Sequence, residues 1–468
     1  MSENVSKSDS GTPAKKLKPD EAVQLLFSLE IKEDRPSIFE LNIDCFDEIF
    51  DYLSAKDLLA LSWTCRTIQQ VVGEYAKANY LSAAKFDESD VVHQVFSCDG
   101  TEYAETPSFN QFIKHISLNG NQSIRYIERY ASTFTSVSHL SLEAVELTPH
   151  RLHCMQHILN TLEIVELKHC SLKCSFYESC LKNCANLKRL YVSCSNEDIV
   201  QASENDWLLT EYSKLEHLGL IPRRRLRFNM NELSRFFELN PKVRSFSTSY
   251  RFLWEHQVEF AEKTIQLDAL DVIVHQKFGM IVHIESIFKL LNELYDRGFY
   301  KKLHLRVPEI NEQYTNRMVS LQGLEKLFIN FLDRNYGLPL VGNLKELTIM
   351  HATPRVDMDI LAQRLTNLER VCLGTSIYGD VLAFVRYASK LSTIILKCQN
   401  EALNQSAYRN ELIFNASALN EERKKLKNAR KVTIYVPDDV FVSFKWATTN
   451  GDMDGKCVRI KRSDSYRF

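Results

Sequence analysis

A group of cysteines is the first set of side chains in this sequence that could do chemistry. Cys170, Cys174, Cys180 and Cys184 lie close together, and His169 directly precedes the first of them. Thiolates and imidazoles are common zinc ligands, but structural zinc sites usually supply cysteines as closely spaced pairs. Here three or five residues separate successive cysteines, so such pairs are missing. The spacing favours cysteines that behave as small core residues over a metal site.

A run of arginines is the second candidate. Arg223, Arg224, Arg225 and Arg227 follow an apolar segment that begins at Leu215. Arginine pairs with phosphate and carboxylate through two parallel hydrogen bonds, so the run could bind a phosphate or an acidic peptide. The alternative is a solvated loop. The whole chain carries a net charge of −2, which argues against a nucleic-acid partner.

Signatures of catalysis are missing from the sequence. It contains no G-x-x-x-x-G-K-[ST], H-E-x-x-H or G-x-S-x-G motif, and only 14 glycines in 468 residues. Among the 13 histidines, we assign His115, His139, His217 and His304 to one repeat position, which favours a surface column over a catalytic site. We therefore expect no catalytic residue, no metal and no cofactor, and a protein that is not an enzyme.

A repeated apolar pattern indicates the structural elements that position any functional side chains. The pattern apolar-x-x-apolar-x-apolar occurs thirteen times, mostly at intervals of 23 to 28 residues. Leucine-rich repeats have a period of roughly 20–29 residues and combine a short strand with a helix. The units begin at Ile113, Val137, Leu162, Leu187, Leu215, Val243, Leu267, Tyr300, Leu324, Leu344, Leu368, Leu391 and Ala429.

The repeats predict a stacked architecture. The fourth and sixth residues of each unit point to the same side of a strand, and one unit cannot bury that side alone. Helical spacing between units, as from Ile284 to Asp296, adds helices to the strands. The fold class is therefore α/β, a leucine-rich-repeat solenoid with a horseshoe of parallel strands and helices outside. The long intervals before Tyr300 and Ala429 leave room for an insertion or a missed repeat. The segment from Cys170 to Leu190 resembles the cysteine-containing subtype of this repeat family.

A short segment before the repeats does not follow their period. Phe46, Ile49, Phe50 and Leu53 recur at helical steps, and Ser54 or Asp57 can cap a second helix. A further helical segment follows through Tyr75. Three short helices that together span about 40 residues rarely bury enough surface to be stable alone. We therefore expect this segment to need a partner.

This segment resembles the F-box family. Residues 41–53 match its L-P-x-E-x-x-x-x-I-F-x-x-L frame, residues 57–61 its D-L-x-x-L, and Cys65-Arg66 its C-R. The sequence departs from the family at Asn42, where Pro is usual, and at Ile68, where Trp is common. A small all-α F-box is therefore expected in front of the repeats.

The resemblance implies a function. F-box proteins with leucine-rich repeats are non-catalytic substrate receptors of Skp–cullin–F-box ubiquitin ligases, in which the F-box binds a Skp-type adaptor and, through it, the cullin–RING assembly. The repeats hold a protein substrate for ubiquitination and proteasomal degradation. The alternative is a leucine-rich-repeat scaffold without ligase assembly. The resemblance assigns adaptor binding to Leu41, Asn42, Phe46, Ile49, Phe50, Leu53, Leu58, Leu59, Leu61 and Cys65.

One face of the predicted sheet is a candidate for substrate binding. The third and fifth residues of each unit, and the residue after the sixth, include eight basic and four acidic side chains. Aromatic and arginine side chains are the usual interface anchors. We therefore predict an acidic or phosphorylated protein substrate, against the alternative of an ordinary mixed surface. The candidate residues are Arg189, Tyr191, Lys302, His304, Arg306, Lys326, Phe328 and Arg370.

The sequence divides into five segments. We expect a disordered tail at 1–36, the F-box at 37–80, a connecting segment and N-terminal cap at 81–110, the repeats at 111–440, and a C-terminal cap or tail at 441–468. Phe441, Phe444 and Trp446 are predicted to cover the last repeat. Because neither a secretory signal nor a membrane span is recognised, we expect a cytoplasmic and/or nuclear protein without a membrane partner.

Overall fold

The computed structural model describes most of the repeat region and most of the segment before it. The described residues are 38, 41–79, 85–86, 110–172, 176–194, 205–222, 230–262, 265–275, 284–310, 317–332, 341–352, 356–374, 377–397, 415–447 and 455–463. The predicted tail at 1–36, the arginine run at 223–227, Cys174 and the side chain of Leu59 lie outside this description. The chain divides into two units, Met1–Phe46 and Asp47–Phe468.

The segment that resembles an F-box is helical. Its helices are α1 (Ile43–Phe50), α2 (Ala55–Ser62) and α3 (Arg66–Asn79). Ser54 begins α2 as predicted: its hydroxyl accepts a hydrogen bond from the backbone N–H of Asp57, whose carboxylate accepts one from the Ser54 N–H in return. Phe50 and Tyr75 are buried and pack edge to face with ring centroids 5.3 Å apart.

A large parallel sheet follows. Fifteen strands pair in the order in which they occur in the chain, while β4 and β6 pair separately. The strands are β1 (Lys85–Phe86), β2 (His115–Asn119), β3 (His139–Glu143), β4 (Glu146–Leu147), β5 (Ile164–Lys168), β6 (Ser171–Leu172), β7 (Arg189–Cys194), β8 (His217–Pro222), β9 (Ser245–Ser249), β10 (Leu267–Ile273), β11 (Tyr300–Ile310), β12 (Leu324–Leu332), β13 (Glu346–Ala352), β14 (Arg370–Leu373), β15 (Thr393–Leu396), β16 (Val432–Val436) and β17 (Val458–Arg462).

Each of the thirteen predicted repeat units contains one strand of this sheet. The apolar fourth residues align from strand to strand; Leu140, Val165, Leu190 and Leu218, for example, are successive partners, and all are buried. The residues between them alternate to the other side, because successive side chains of a strand point to opposite faces. The fold is therefore α/β with a parallel sheet that does not close on itself.

Helices connect many of the strands. They are α4 (Gly120–Tyr130), α5 (Pro149–Cys154), α6 (Gln156–Leu159), α7 (Phe176–Ser179), α8 (Met230–Leu239), α9 (Tyr250–Glu255), α10 (Gln257–Glu262), α11 (Ile284–Asp296), α12 (Met358–Arg364), α13 (Tyr378–Tyr387), α14 (Ala416–Lys424) and α15 (Asp438–Ala447). The predicted helix at Ile284–Asp296 is confirmed as α11. None of the described helices has the length and apolar character needed to cross a membrane.

In the described residues, the two long intervals contain helices, and the strands that flank each interval pair directly with each other. β10 pairs directly with β11, and β15 pairs directly with β16. Helices α11 and α14 lie in these intervals. The register shifts between β11 and β12, where Leu303 pairs with Leu324 but His304 pairs with Lys326. Equivalent repeat positions are therefore not always neighbours across the sheet.

Two described strands of the large sheet lie outside the thirteen units. β1 pairs with β2, and β17 pairs with β16, in both cases in parallel. Strand β17 and helix α15 come mostly from the segment for which the sequence predicts a cap or tail. The sheet thus continues into the C-terminal segment, and this segment also contacts the helices near the N-terminus.

Candidate functional site

Helix α1 begins at the first departure from the family pattern. The Asn42 side-chain oxygen accepts a hydrogen bond from the backbone N–H of Cys45 at 2.9 Å, and the Asn42 carbonyl accepts one from the N–H of Phe46. A side-chain oxygen at this place satisfies a backbone donor that a proline would leave unpaired. Asn42 therefore caps the helix, and its replacement of the usual proline leaves the first turn intact.

The predicted adaptor-binding residues have two different environments. Phe46, Phe50 and Leu58 are buried in the structure, where they support the helices. Ile49 is 41% exposed, and it is available to a partner. The remaining described members are exposed at Leu41 and Asn42 and partly buried at Leu53, Leu61 and Cys65.

Three exposed apolar side chains of the segment that resembles an F-box are not among the predicted adaptor-binding residues: Ile38, Ile43 and Trp63. Ile43 is 52% exposed at the start of α1, and Trp63 is 54% exposed at the C-cap of α2. Exposed apolar groups that form a surface, when they are large, often mark sites of protein binding. Ile68, which stands where the family commonly has tryptophan, is buried instead.

The end of α1 is held by a residue from the other end of the chain. The guanidinium of Arg462 is fully buried, and it donates hydrogen bonds to the carbonyls of Phe50, Asp51 and Leu53 at 2.8 to 3.0 Å. It also pairs with the carboxylate of Asp438 at 2.9 Å. The last carbonyls of a helix lack partners within the helix and attract cations, so Arg462 satisfies the C-terminus of α1.

The start of α2 is capped from the same C-terminal segment. The Asp438 carboxylate accepts a hydrogen bond from the backbone N–H of Ala55 at 2.8 Å, where a negative charge is favourable. Lys445 lies 3.2 Å from Glu48 and 3.1 Å from Asp51. Burial acts to lower the pKa of Lys445, but these two carboxylates outweigh it and raise the pKa. We call these contacts between residues 48–79 and 438–462 the junction.

The predicted substrate-binding residues lie on one face of the sheet, in lateral rows. One row runs through Tyr191, Gly219, Ser247, Asp271, His304, Lys326, Glu346 and Arg370, each paired in register with the next. Arg306 and Phe328 are partners in the adjacent row. Arg189 and Lys302 belong to a third row, next to Tyr191 and His304 respectively.

Tyr191 lies flat on its neighbouring strand. A side chain at Gly219 would overlap the Tyr191 ring, and the ring also packs against His217 with centroids 4.5 Å apart. Burial raises the pKa of Tyr191 to about 12 and lowers that of His217 to about 4. The phenol is therefore protonated and the imidazole neutral near pH 7.

A hydrogen-bonded network continues from His217 across three more strands. Its ring nitrogens lie 2.8 Å from the Ser245 hydroxyl and 3.0 Å from the Ser247 hydroxyl, and Ser247 donates to Asp271 at 2.7 Å. Asp271 also pairs with His304. Burial acts to raise the pKa of Asp271, but His304 and Ser247 outweigh it and the pKa is lowered. We call these five side chains the polar network.

The polar network differs from a catalytic triad. In a triad the carboxylate orients the histidine, which in turn contacts the serine hydroxyl. Here Ser247, which lies between His217 and Asp271, donates directly to the Asp271 carboxylate, and both Ser247 and His217 are buried. The hydrogen bonds of the polar network therefore serve to satisfy buried polar side chains.

The histidine column predicted from the sequence is wrong in two respects. His304 is the fifth residue of its unit and pairs with Asp271, so it belongs to a different row from His115 and His139. His217 is buried, not on the surface. The rings of His115 and His139 do stack, with centroids 3.7 Å apart.

Ion pairs reduce the predicted positive charge of the face. Lys302 pairs with Glu325 at 3.4 Å, and Lys326 pairs with Glu346 at 2.8 Å. In contrast, the exposed guanidinium of Arg306 forms no ion pair in the described structure and lies over the Phe328 ring, 5.7 Å from its centroid. The exposed side chains of Arg189 and Arg370 likewise form no ion pair with a described carboxylate.

A further carboxylate on the face is strongly paired. Glu166 lies 3.4 Å from His139 and 3.1 Å from Lys168. Burial acts to raise its pKa, but His139 and Lys168 outweigh it and hold the pKa at about 2. This carboxylate therefore stays charged and paired throughout the neutral range.

The described cysteines of the first candidate site are core residues. Cys170, Cys180 and Cys184 are buried, and the thiols of Cys170 and Cys184 donate to the carbonyls of Leu142 and Cys180. Burial raises the pKa of Cys170, which works against the thiolate that a metal needs. Within the described residues, no group of three or more potential ligands could hold a metal ion.

Comparison with known proteins identifies one domain. The family model of the F-box domain matches residues 38–74. No curated protein matches the chain. F-box domains bind Skp-type adaptors in cullin–RING ligases, so the match supports an F-box protein with the general role of a ligase substrate receptor. F-box proteins are typically adaptors without catalytic activity.

Proposed function

We propose that this chain is the non-catalytic substrate-recognition subunit of a Skp–cullin–F-box ubiquitin ligase. The observation that supports this proposal best is the F-box match at residues 38–74. In this region Ile49 and Trp63 are exposed, whereas Phe50 and Leu58 are buried. These helices are folded and still present apolar side chains to a partner. A Skp-type adaptor would bind there and link the chain to the cullin–RING assembly.

The large sheet is proposed to be a leucine-rich-repeat solenoid that binds the protein substrate. Its support is that thirteen successive units of one sequence pattern supply thirteen neighbouring strands. Catalysis would come from proximity, since a held substrate lysine meets the activated ubiquitin at a high effective concentration. This chain would supply no reacting group. We place the complex in the cytoplasm and/or the nucleus.

The substrate is proposed to be an acidic or phosphorylated protein segment. Arg306 and Arg370 lie three strands apart, a lateral distance of about 14 Å at the usual strand spacing. An extended peptide covers that distance with roughly four residues. Because these guanidiniums are exposed and have no described carboxylate partner, they can pair with carboxylates or phosphates of a substrate.

Adaptor binding tests the ligase assignment. We expect the full-length chain to bind a purified Skp-type adaptor, and Ile49→Asp to weaken binding at least tenfold because it places a charge on an exposed apolar contact. The measurement is a calorimetric titration. Val258→Asp is the matched control, since Val258 is also exposed and apolar but lies on α10. Leu58 is unsuitable, because it is fully buried and its substitution would test folding.

A folded chain that does not bind the adaptor would contradict the ligase assignment and favour the scaffold alternative. Equal affinities of the Ile49→Asp and Val258→Asp variants would mean that the adaptor contacts another surface of the chain.

Charge reversal tests the substrate-binding face. We expect the full-length chain to bind selected peptides in an array of phosphoserine and acidic sequences. The Arg306→Glu, Arg370→Glu double variant should bind the same peptides at least tenfold more weakly. Arg297→Glu, at an exposed position after α11, is the control. Selection that is unchanged in the double variant would exclude this face as the binding site.

A further inference from the structure

Trp446 is the most exposed large apolar side chain of the described residues. It is 66% exposed, whereas Phe441 and Phe444, its neighbours in α15, are buried. The two phenylalanines fit a covering role for this helix. Trp446 does not, because its ring faces water.

The exposed ring is nevertheless held in place. Its indole N–H donates to the carbonyl of Tyr52 at 3.1 Å, and the two rings pack edge to face with centroids 5.2 Å apart. The indole's single donor is satisfied within the chain, so the exposed part is its apolar surface. A tryptophan that is fixed before binding loses little side-chain entropy when a partner covers it.

Trp446 adjoins the F-box although it lies 394 residues after Tyr52. Tyr52 falls within the matched residues 38–74. The backbone N–H of Tyr52 donates to the carbonyl of Ile49, one helical turn before it. Residues three apart on a turn of helix are surface neighbours, so the exposed Ile49 lies one turn before Tyr52, the residue that the exposed Trp446 contacts.

The junction keeps α15 fixed to these helices. Lys445, next to Trp446, pairs with Glu48 and Asp51 and lies over the Tyr52 ring at 5.2 Å. At the other end of α15, Asp438 accepts from the N–H of Ala55. The position of Trp446 beside α1 is therefore set by contacts at both ends of its helix.

We propose that Trp446 is part of the surface that binds the Skp-type adaptor, which makes this surface a composite of the F-box and the last described helix, α15. The inference rests on the proposed function. Trp446 adds a second exposed apolar side chain to that of Ile49, and tryptophan is among the side chains that contribute most to protein interfaces. The adaptor would present an apolar pocket to the indole.

Titration of the full-length chain with purified Skp-type adaptor tests this proposal. We expect Trp446→Ala to weaken adaptor binding at least tenfold and Trp446→Phe, which keeps an aromatic ring but loses the hydrogen bond to Tyr52, to weaken it less than Trp446→Ala. Trp254→Ala is the matched control, because Trp254 is also an exposed tryptophan but lies on α9. Thermal midpoints of all variants separate loss of contact from loss of folding.

Three outcomes decide the proposal. Binding that Trp446→Ala weakens with an unchanged thermal midpoint supports it. Binding that Ile49→Asp abolishes but Trp446→Ala leaves unchanged overturns the composite surface and leaves the proposed function standing. A folded wild-type chain without adaptor binding overturns both.

Discussion

The junction and the polar network both bury charged or polar side chains, but their partners are found at very different distances along the sequence. In the polar network, the partners are 24 to 33 residues apart and lie on neighbouring strands. In the junction they are 383 to 412 residues apart. The network connects neighbouring repeats, and the junction connects opposite ends of the chain.

The two regions also bury different groups. His217 is a neutral imidazole whose hydrogen bonds go to serine hydroxyls. Arg462 is a permanent charge whose described partners include three backbone carbonyls and one carboxylate. Removing a partner from a buried charge costs more than removing one from a neutral group, because the remaining charge stays out of water. The junction should therefore be the more sensitive of the two.

Substitution of Arg462 is expected to have the largest effect. Arg462→Met leaves the Asp438 carboxylate and the carbonyls of Phe50, Asp51 and Leu53 without this donor. Breaking a buried ion pair costs about 3–5 kcal/mol. We expect a lower thermal midpoint, faster proteolysis within α1 and α2, and weaker adaptor binding.

Arg423 provides a matched comparison within the repeats. It is also buried, and it donates to carbonyls that include Val385, Ala388 and Leu391, with no ion pair to a carboxylate of the described residues. Arg423→Met should lower the thermal midpoint but leave adaptor affinity within twofold. Equal losses of adaptor affinity in both variants would show that the junction has no special connection to the F-box.

The strands of the repeats could largely be predicted from the sequence. The period placed a strand in each of thirteen units, and the cap at Ser54 and helix α11 are as expected. Strand β17 was not predicted. Val458 and Ile460 fit the fourth and sixth positions of the repeat pattern, but Gly455 stands at the first position, where the pattern needs an apolar residue. The register shift after β11 was also missed, since the spacing of units does not specify which residues pair.

The candidate site was predictable only in part. Helical spacing identifies Phe46, Ile49 and Phe50 as apolar positions of α1, but it does not separate the exposed Ile49 from the buried Phe50. The contact between Arg462 and Phe50 spans 412 residues and has no periodic signal. Such a contact depends on how the ends of the fold meet, and local sequence does not encode that.

Titration of the polar network is expected to have the smaller effect. Burial lowers the pKa of His217 in the folded chain to about 4, below the ordinary value of 6.5 for histidine, so the unfolded chain binds more protons between these pH values. Stability should therefore fall as pH is lowered from 6.5 to 4. Over the interval from 6.5 to 5 the loss is about 2 kcal/mol, at 1.36 kcal/mol per pKa unit.

The His217→Asn variant lacks this titrating group, so its comparison with the wild-type chain isolates the contribution of His217 to the pH dependence of stability. The charged groups that influence His217 include Asp271, Arg189, His304 and Glu166. The stabilisation from Glu166 and Asp271, whose pKa values are lowered, is lost only below about pH 4.5 and 3.8. Thermal midpoints at pH 6.5 and 5 should therefore differ by several degrees more in the wild-type chain than in the variant. Equal differences in the two chains would mean that His217 accepts a proton without cost, which would contradict a desolvated imidazole at the centre of the network.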